Sequence, residues 1–201
     1  MIARPTTLPT VALVGPDPLV EAWTVAFREV SGVQVIAGDI LHQPPGTALV
    51  SPANSYGMMR GGLDYQYAMN YAEHAIDIEH RVREVIAAEW GGELPVGSAV
   101  VVATPEHPRW PCLIVAPTMR TPGNIAHTDN AYHAFRAALL AVMAWNRQHP
   151  DRIVGRVACP GMGTGVGGLM PQAAATRMRA AWDAVVNEEG PCGQSGAGTH
   201  G

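Results

Sequence analysis

Lysine is absent from this chain: all thirteen cationic residues among its 201 are arginine. That excludes a Schiff-base lysine and the lysine of a P-loop. Cysteine is scarce. Cys112, Cys159 and Cys192 are too few and too odd in number for a disulfide framework, and no CxxC pair suggests a thiolate zinc site. Cys112 and Cys159 lie in strand-like runs and read as small buried hydrophobes. No apolar run approaches the roughly 18 residues that span a bilayer. The N-terminal Met1-Ile2-Ala3-Arg4-Pro5 lacks the apolar stretch and cleavage site of a signal peptide, so the cytoplasm is the expected compartment. Charged residues make up 15% of the chain and the net charge is −4, which argues against the basic face that duplex nucleic acid requires. Of the eight histidines, His74 and His80 stand six apart, as do His127 and His133. None has the i, i+4 placement of a helical metal site, and no metal or cofactor is expected.

What is present is a 47% apolar chain of a length that most simply makes one domain with a substantial core. Residues 1–9 read as a short arm. Thr10 to Gly15 reads as a strand, bounded by the turn residues Gly15-Pro16-Asp17-Pro18. Leu19 to Val30 follows as a helix with Leu19, Trp23, Ala26, Phe27 and Val30 on one face. Val33 to Ile40 and Thr47 to Pro52 read as the second and third strands. Asp64 to about Trp90 is helical in character, in one piece or two, and Gly91-Gly92 closes it. Ser98 to Thr104 and Cys112 to Thr118 are β-branched runs and hence strands. Thr128 or Asp129 caps a helix to about Gln148, with Tyr132, Phe135, Leu139, Val142 and Met143 on its apolar stripe. Arg152 to Cys159 reads as a last strand, and Pro171 to about Asn187 as a last helix. Residues 189–201 read as a flexible glycine-rich tail. Alternating strands and helices predict a sheet with helices on both faces.

Three stretches carry chemistry. In Gly161 to Gly168, five glycines in eight residues free the backbone to turn N–H groups inward, between a strand and a helix. Such a nest binds phosphate without a cation, while the plain reading is a tight turn. Gly163, Gly165 and Gly168 formally satisfy GxGxxG, but too little chain follows for a dinucleotide fold. Gly38-Asp39-Ile40 ends a strand in an acid able to accept from an exocyclic amine such as adenine's, or to be a solvated turn aspartate. The segment Ser51 to Asp64 leaves a buried-looking strand through a polar, glycine-bearing loop into a helix. Asn54 can hold a ribose hydroxyl or form an Asx-turn, and Asp64 can orient or deprotonate a water or cap a helix. Arg60 in the same loop can meet phosphate or stand in solvent.

Set in order, these segments resemble the macrodomain family, which binds ADP-ribose. Gly38-Asp39-Ile40 is similar to its early Gly-Asp-Ile segment, Val50 to Asp64 to its Asn-Ala-Ala-Asn loop with following glycines and Val-Asp, and Gly163 to Gly168 to its phosphate loop, with Pro171 after it. The spacing of ten between Asn54 and Asp64 is that of the hydrolytic branch. The resemblance spans about residues 10 to 188, taken as the domain. It implies a three-layer α/β/α sandwich around a mixed, mostly parallel sheet of about six strands.

The implied roles are these. Asp39, with Ile40 beside it, binds the adenine amine. Gly163, Thr164, Gly165, Val166, Gly167 and Gly168 wrap the diphosphate. Gly61 and Gly62 let the distal ribose approach, with Asn54 and Asp64 flanking it as catalytic residues, and Ala53 is a further ligand-binding residue. The implied activity is hydrolysis of ADP-ribosyl linkages at C1 of the distal ribose, on ADP-ribose-bearing substrates. The alternative is a non-catalytic module that binds ADP-ribose or a related nucleotide. A binder of single-stranded nucleic acid fits the fold, but the acidic charge counts against it. The chain departs from the family pattern at Ser51, at Met58-Met59-Arg60, and at Gly167 and Leu169, where aromatics are common. Tyr56 and Tyr65 are the nearest aromatic replacements.

Overall fold

A computed structural model describes residues 8–189. Most of the expected N-terminal arm, nearly all of the expected tail, and Cys192 lie outside the described residues. The strands are β1 (Thr10–Gly15), β2 (Val33–Ala37), β3 (Ala48–Ser51), β4 (Val100–Ala103), β5 (Cys112–Val115) and β6 (Arg156–Cys159). The helices are α1 (Asp17–Ala26), α2 (Gly62–Ala72), α3 (Ile78–Trp90), α4 (Asn130–Gln148) and α5 (Pro171–Glu189). The sheet order is β2-β1-β6-β3-β5-β4, parallel throughout except for β4, which runs antiparallel to β5.

The period-2 alternation of the strands builds two cores. Val11, Leu13, Val50, Ile114 and Cys159 face one side, where they meet Trp23 of α1, Phe135 and Leu139 of α4 and Met178 of α5. Ala12, Val14, Leu49, Leu113 and Ala158 face the other, where Tyr67 and Tyr71 of α2 and Ile78, Val82 and Ile86 of α3 cover them. The result is an α/β/α sandwich. Each fully buried Leu, Ile or Phe in these layers contributes about 1.5–3 kcal/mol. Cys112 and Cys159 are both fully buried, and burial pushes the thiol of Cys112 up to about 12. Among the described residues, no helix is long and apolar enough to cross a membrane.

Several boundaries differ from expectation, each for a local reason. The first helix stops at Ala26 rather than Val30, because Glu29 adopts a left-handed φ of 62° and the Val30 amide turns back to Phe27. The second strand stops at Ala37 rather than Ile40. Gly38 takes φ 134°, and the Asp39 carboxylate accepts from the Leu41 amide at 2.8 Å to open a short 3-10 turn over Ile40–His42. The long helical region is two helices, broken where Ala75 takes φ 58°, and Asp77 caps the second by accepting from the His80 amide. Gly91 closes α3 in the left-handed conformation. Asp129 occupies the N-cap position of α4 without a capping bond, its carboxylate meeting Arg177 instead, while the Thr128 hydroxyl accepts from the Asn130 amide at 3.3 Å. The last strand begins at Arg156 rather than Arg152, since both backbone groups of Val154 bond the buried carboxamide of Asn146 on α4.

Candidate functional site

The strand order reverses direction around β1, β6 and β3: the chain steps outward from β1 to β2 on one side and from β3 to β5 on the other. In open α/β sheets the carboxyl ends of the strands at such a switch point leave a crevice. Here that crevice is a cleft of about 570 Å³. Its walls come from the segments that leave β1, β2, β3, β5 and β6. Twelve of the thirteen site residues expected from the sequence line it: Asp39, Ile40, Ala53, Asn54, Gly61, Gly62, Asp64, Gly163, Thr164, Gly165, Val166 and Gly167. Gly168 is outside it, beside the Asn124 carboxamide.

The glycine loop after β6 is held from behind. Leu169 donates to the Gly163 carbonyl and Gly168 to that of Gly165, while the Ile125 amide donates to the Gly167 carbonyl at 2.9 Å. The amides of Gly165, Val166 and Gly167 have no acceptor among the described residues. Gly165 and Val166 are exposed and Gly167 is buried, so three consecutive backbone donors without a protein acceptor line the cleft, an arrangement of the kind that accommodates an anion. A Cβ on Gly167 would stand 2.5 Å from the Gly163 carbonyl oxygen and 2.7 Å from Ile125 Cγ1. A side chain therefore has no room there, which is why the aromatic expected of the family cannot occupy this position.

Asp39 is exposed at the opposite rim. One carboxylate oxygen anchors the 3-10 turn and the other is unpartnered among the described residues. The turn-aspartate reading holds, and the second oxygen remains an open acceptor at the rim.

Asn54 is buried and organises its own loop. Its Oδ1 accepts from the amides of Tyr56 at 3.1 Å and Met58 at 3.3 Å, and Nδ2 donates to the Met58 carbonyl at 2.7 Å. The Asx-turn is thus present, and one Nδ2 hydrogen has no partner among the described residues. Gly57 seals this turn against α3, since a Cβ would stand 2.7 Å from Val82 at φ 65°. The loop is strapped to the segment after β5 by the Ser55 amide on the Met119 carbonyl and the Thr118 amide on the Ala53 carbonyl.

Asp64 is the third residue of α2, and the cap position belongs to Gly61, so the capping reading does not hold. The residue is 8% exposed, and Oδ1 accepts from Ser51 Oγ at 2.6 Å. Burial raises the carboxyl from 3.8 to about 6, against the opposing effect of the Ser51 hydrogen bond. Gly61 and Gly62 are exposed with open space where a Cβ would be, and Gly62 needs its glycine for φ 58°. Among the described residues Arg60 is the one cation lining the cleft; its side chain is 76% exposed and Nε lies 3.5 Å from Glu79. Neither tyrosine proposed as a replacement aromatic lines the cleft: Tyr56 donates to Glu93 and Tyr65 is exposed on α2.

Sequence reasoning missed Pro16, Leu19, Pro52, Met119 and Pro122 of the apolar wall, and found Met58 only as a departure from the family pattern. Pro16 follows a parallel strand, and that place was the signal available for it. It also missed Ser51 as the partner of Asp64, for which a thirteen-residue separation gives no periodic signal.

The Macro domain family model matches residues 50–178. An uncharacterized protein of Aquifex aeolicus is 34% identical over 73% of this chain and 78% of its own length. Among solved structures, the macrodomain of Mycobacterium tuberculosis DarG has a TM-score of 0.56 at 22% identity, covering 74% of this chain and 88% of that one. The macrodomain of Thermus aquaticus DarG has a TM-score of 0.51 at 23% identity, covering 73% and 87%. The two structural likenesses speak to the fold.

Proposed function

The chain belongs to the Macro domain family, and on that premise we propose that it binds ADP-ribose in the cleft and hydrolyses ADP-ribosyl linkages at C1 of the distal ribose. The observation that carries this reading is the order of three polar stations along the sheet edge. Asp39 follows β2, the free amides of Gly165 to Gly167 follow β6, and Asn54 and Asp64 follow β3. In the sheet, β6 lies between the other two strands. Three strand spacings of about 4.8 Å separate the outer stations by about 14 Å, the scale of a nucleoside diphosphate carrying a second sugar. An acid for the base, donors for the diphosphate and a polar pocket for the ribose occur in the ligand's own order.

In this reading Asp39 accepts from the adenine amine, with Ile40 beneath the base. The backbone donors of the glycine loop hold the diphosphate by hydrogen bonds without a cation, leaving its negative charge in place. Asn54 offers its remaining N–H to the ribose, and Gly61 and Gly62 let the sugar come close. Asp64 takes a proton from water as the water attacks C1 and the bond from C1 to the modified group breaks, its electron pair departing with that group, which is protonated from solvent. A carboxyl held near 6 is ionised at neutral pH yet basic enough to accept that proton. Positive charge developing on the sugar is stabilised by the bound diphosphate.

A second reading, an ADP-ribose-binding module without turnover, is favoured by one observation: most of Asn54's hydrogen-bonding capacity is spent on its own loop. One experiment separates the two. Calorimetric titration with ADP-ribose establishes binding, and incubation with a mono-ADP-ribosylated substrate compares wild type with Asp64→Ala. The hydrolytic reading expects a loss of about 10²- to 10⁴-fold in release by the variant, with ADP-ribose affinity kept. Equal release by both proteins removes the role of Asp64, and tight binding without release selects the second reading.

A further inference from the structure

We propose that Ser51 is a positioning residue whose hydroxyl ties one oxygen of Asp64 to the sheet, so that the other oxygen is presented to the cleft in a single orientation. The inference rests on the hydrolytic reading of Asp64. Ser51 is the last residue of β3, in register with Val115 of β5, and its carbonyl accepts from the Ala116 amide at 3.0 Å. It is 1% exposed and does not line the cleft, whereas Asp64 does. The two meet at 2.6 Å through Ser51 Oγ and Asp64 Oδ1, a length typical of a hydroxyl donating to a charged carboxylate.

Among the described residues no other donor competes. Tyr67, one turn further along α2, gives its phenol hydrogen to the Val50 carbonyl at 3.1 Å. Asp64 Oδ2 has no partner among the described residues. The carboxylate is therefore clamped on its inner oxygen by a group fixed in the sheet, and free on its outer one. Such a clamp removes the side chain's rotational freedom before substrate arrives, which is how positioning lowers a barrier. Ser51 cannot itself attack a substrate, since it is buried behind Asp64 and its hydrogen is committed.

The titratable groups around the pair do not blur the test. Tyr67 feels Asp64, Cys159 and Asp39, and burial holds its phenol neutral far above physiological pH. Cys159 is likewise raised by full burial.

The test is a ¹³C NMR titration of the Asp64 carboxyl in wild type and Ser51→Ala, together with the pH profile of hydrolysis. Losing a hydrogen bond to the ionised form should move the Asp64 midpoint upward by about one to two pH units. The acid limb of kcat should move with it, and kcat should fall about 10- to 100-fold at nearly constant KM. If Ser51→Ala does not fold, Ser51→Cys, close in size and a weaker donor, should move the midpoint in the same direction by less. An unmoved carboxyl titration overturns the proposal, including the case in which kcat falls anyway, because that is what a merely structural role would give. If wild type hydrolyses none of the linkages tried, the hydrolytic reading fails, and the titration still decides whether Ser51 holds Asp64.

Discussion

Replacing Asp64 by asparagine should make the protein more stable at neutral pH, and less so as the pH falls. The carboxyl sits at about 6 in the folded chain against an ordinary value of 3.8, and burial is the main cause. A group whose folded value lies above its unfolded value binds more protons in the folded state throughout that interval. Unfolding free energy therefore decreases as pH rises from about 4 to about 6, and the cost is fully present above that window. At about 1.36 kcal/mol per pH unit, the interval corresponds to about 3 kcal/mol. Asparagine keeps an oxygen for the Ser51 hydroxyl and removes the buried charge, at the loss of about 0.3–1 kcal/mol of favourable interaction with the α2 N-terminus. The net gain expected at pH 7.5 is about 2–3 kcal/mol, or roughly 4–12 °C in Tm for a domain of this size. At pH 4, where wild type is itself protonated, the two proteins should differ by less than about 0.5 kcal/mol. Urea unfolding at pH 4, 5.5 and 7.5 measures this directly. A destabilised variant at pH 7.5, or a gain of equal size at all three pH values, would refute the assignment of a strained, ionised carboxylate to this position.

Two further outcomes bear on the rest of the cleft. Gly167→Ala should weaken ADP-ribose binding by about tenfold or more, because its Cβ would meet a backbone carbonyl at 2.5 Å that cannot yield without opening the loop. Gly165→Ala, with nothing within 4 Å of its Cβ, should bind within about threefold of wild type; calorimetry on both variants checks the contrast, and equal losses would count against the packing argument. Asp39→Ala should weaken ADP-ribose by about 10- to 100-fold, the worth of one hydrogen bond to a charged group. Wild type should prefer ADP-ribose over its hypoxanthine analogue, and the variant should not, so an undiminished preference would place the base elsewhere.

The six strands and the two-sided helix cover were legible because apolar periodicity reports the face a residue turns to the core, as Val11 and Leu13 against Ala12 and Val14 demonstrate. The cleft-lining glycines and acids were legible for a similar reason, since only a few residue types serve a free-amide loop or a buried carboxylate. Ends of elements were less so. Val154 has strand composition and is drawn off by Asn146 from another helix, a contact that no local pattern encodes. Ser51 is the sharper case. In the sequence it is only a departure from the family pattern, whereas in space it is the donor to a buried carboxylate lining the cleft.

The same reasoning accounts for the missing aromatic cover. Gly167 is bare because segment 119–128 crosses close behind the glycine loop, with Ile125 occupying the space a side chain would need. That segment brings Met119 and Pro122 to the β3–β5 end of the cleft, where Met58 joins them from the Asn54 loop. On the proposed reading, the distal ribose is enclosed by aliphatic side chains from two loops rather than by one ring. Those two loops are tied together by the Ser55 and Asn54 contacts to Met119. Glycine at 167 and methionine at 58 are then parts of one arrangement: an aromatic at 167 would displace Ile125, and with it the wall that Met58 completes. Restoring an aromatic at that single position would consequently cost binding rather than improve it.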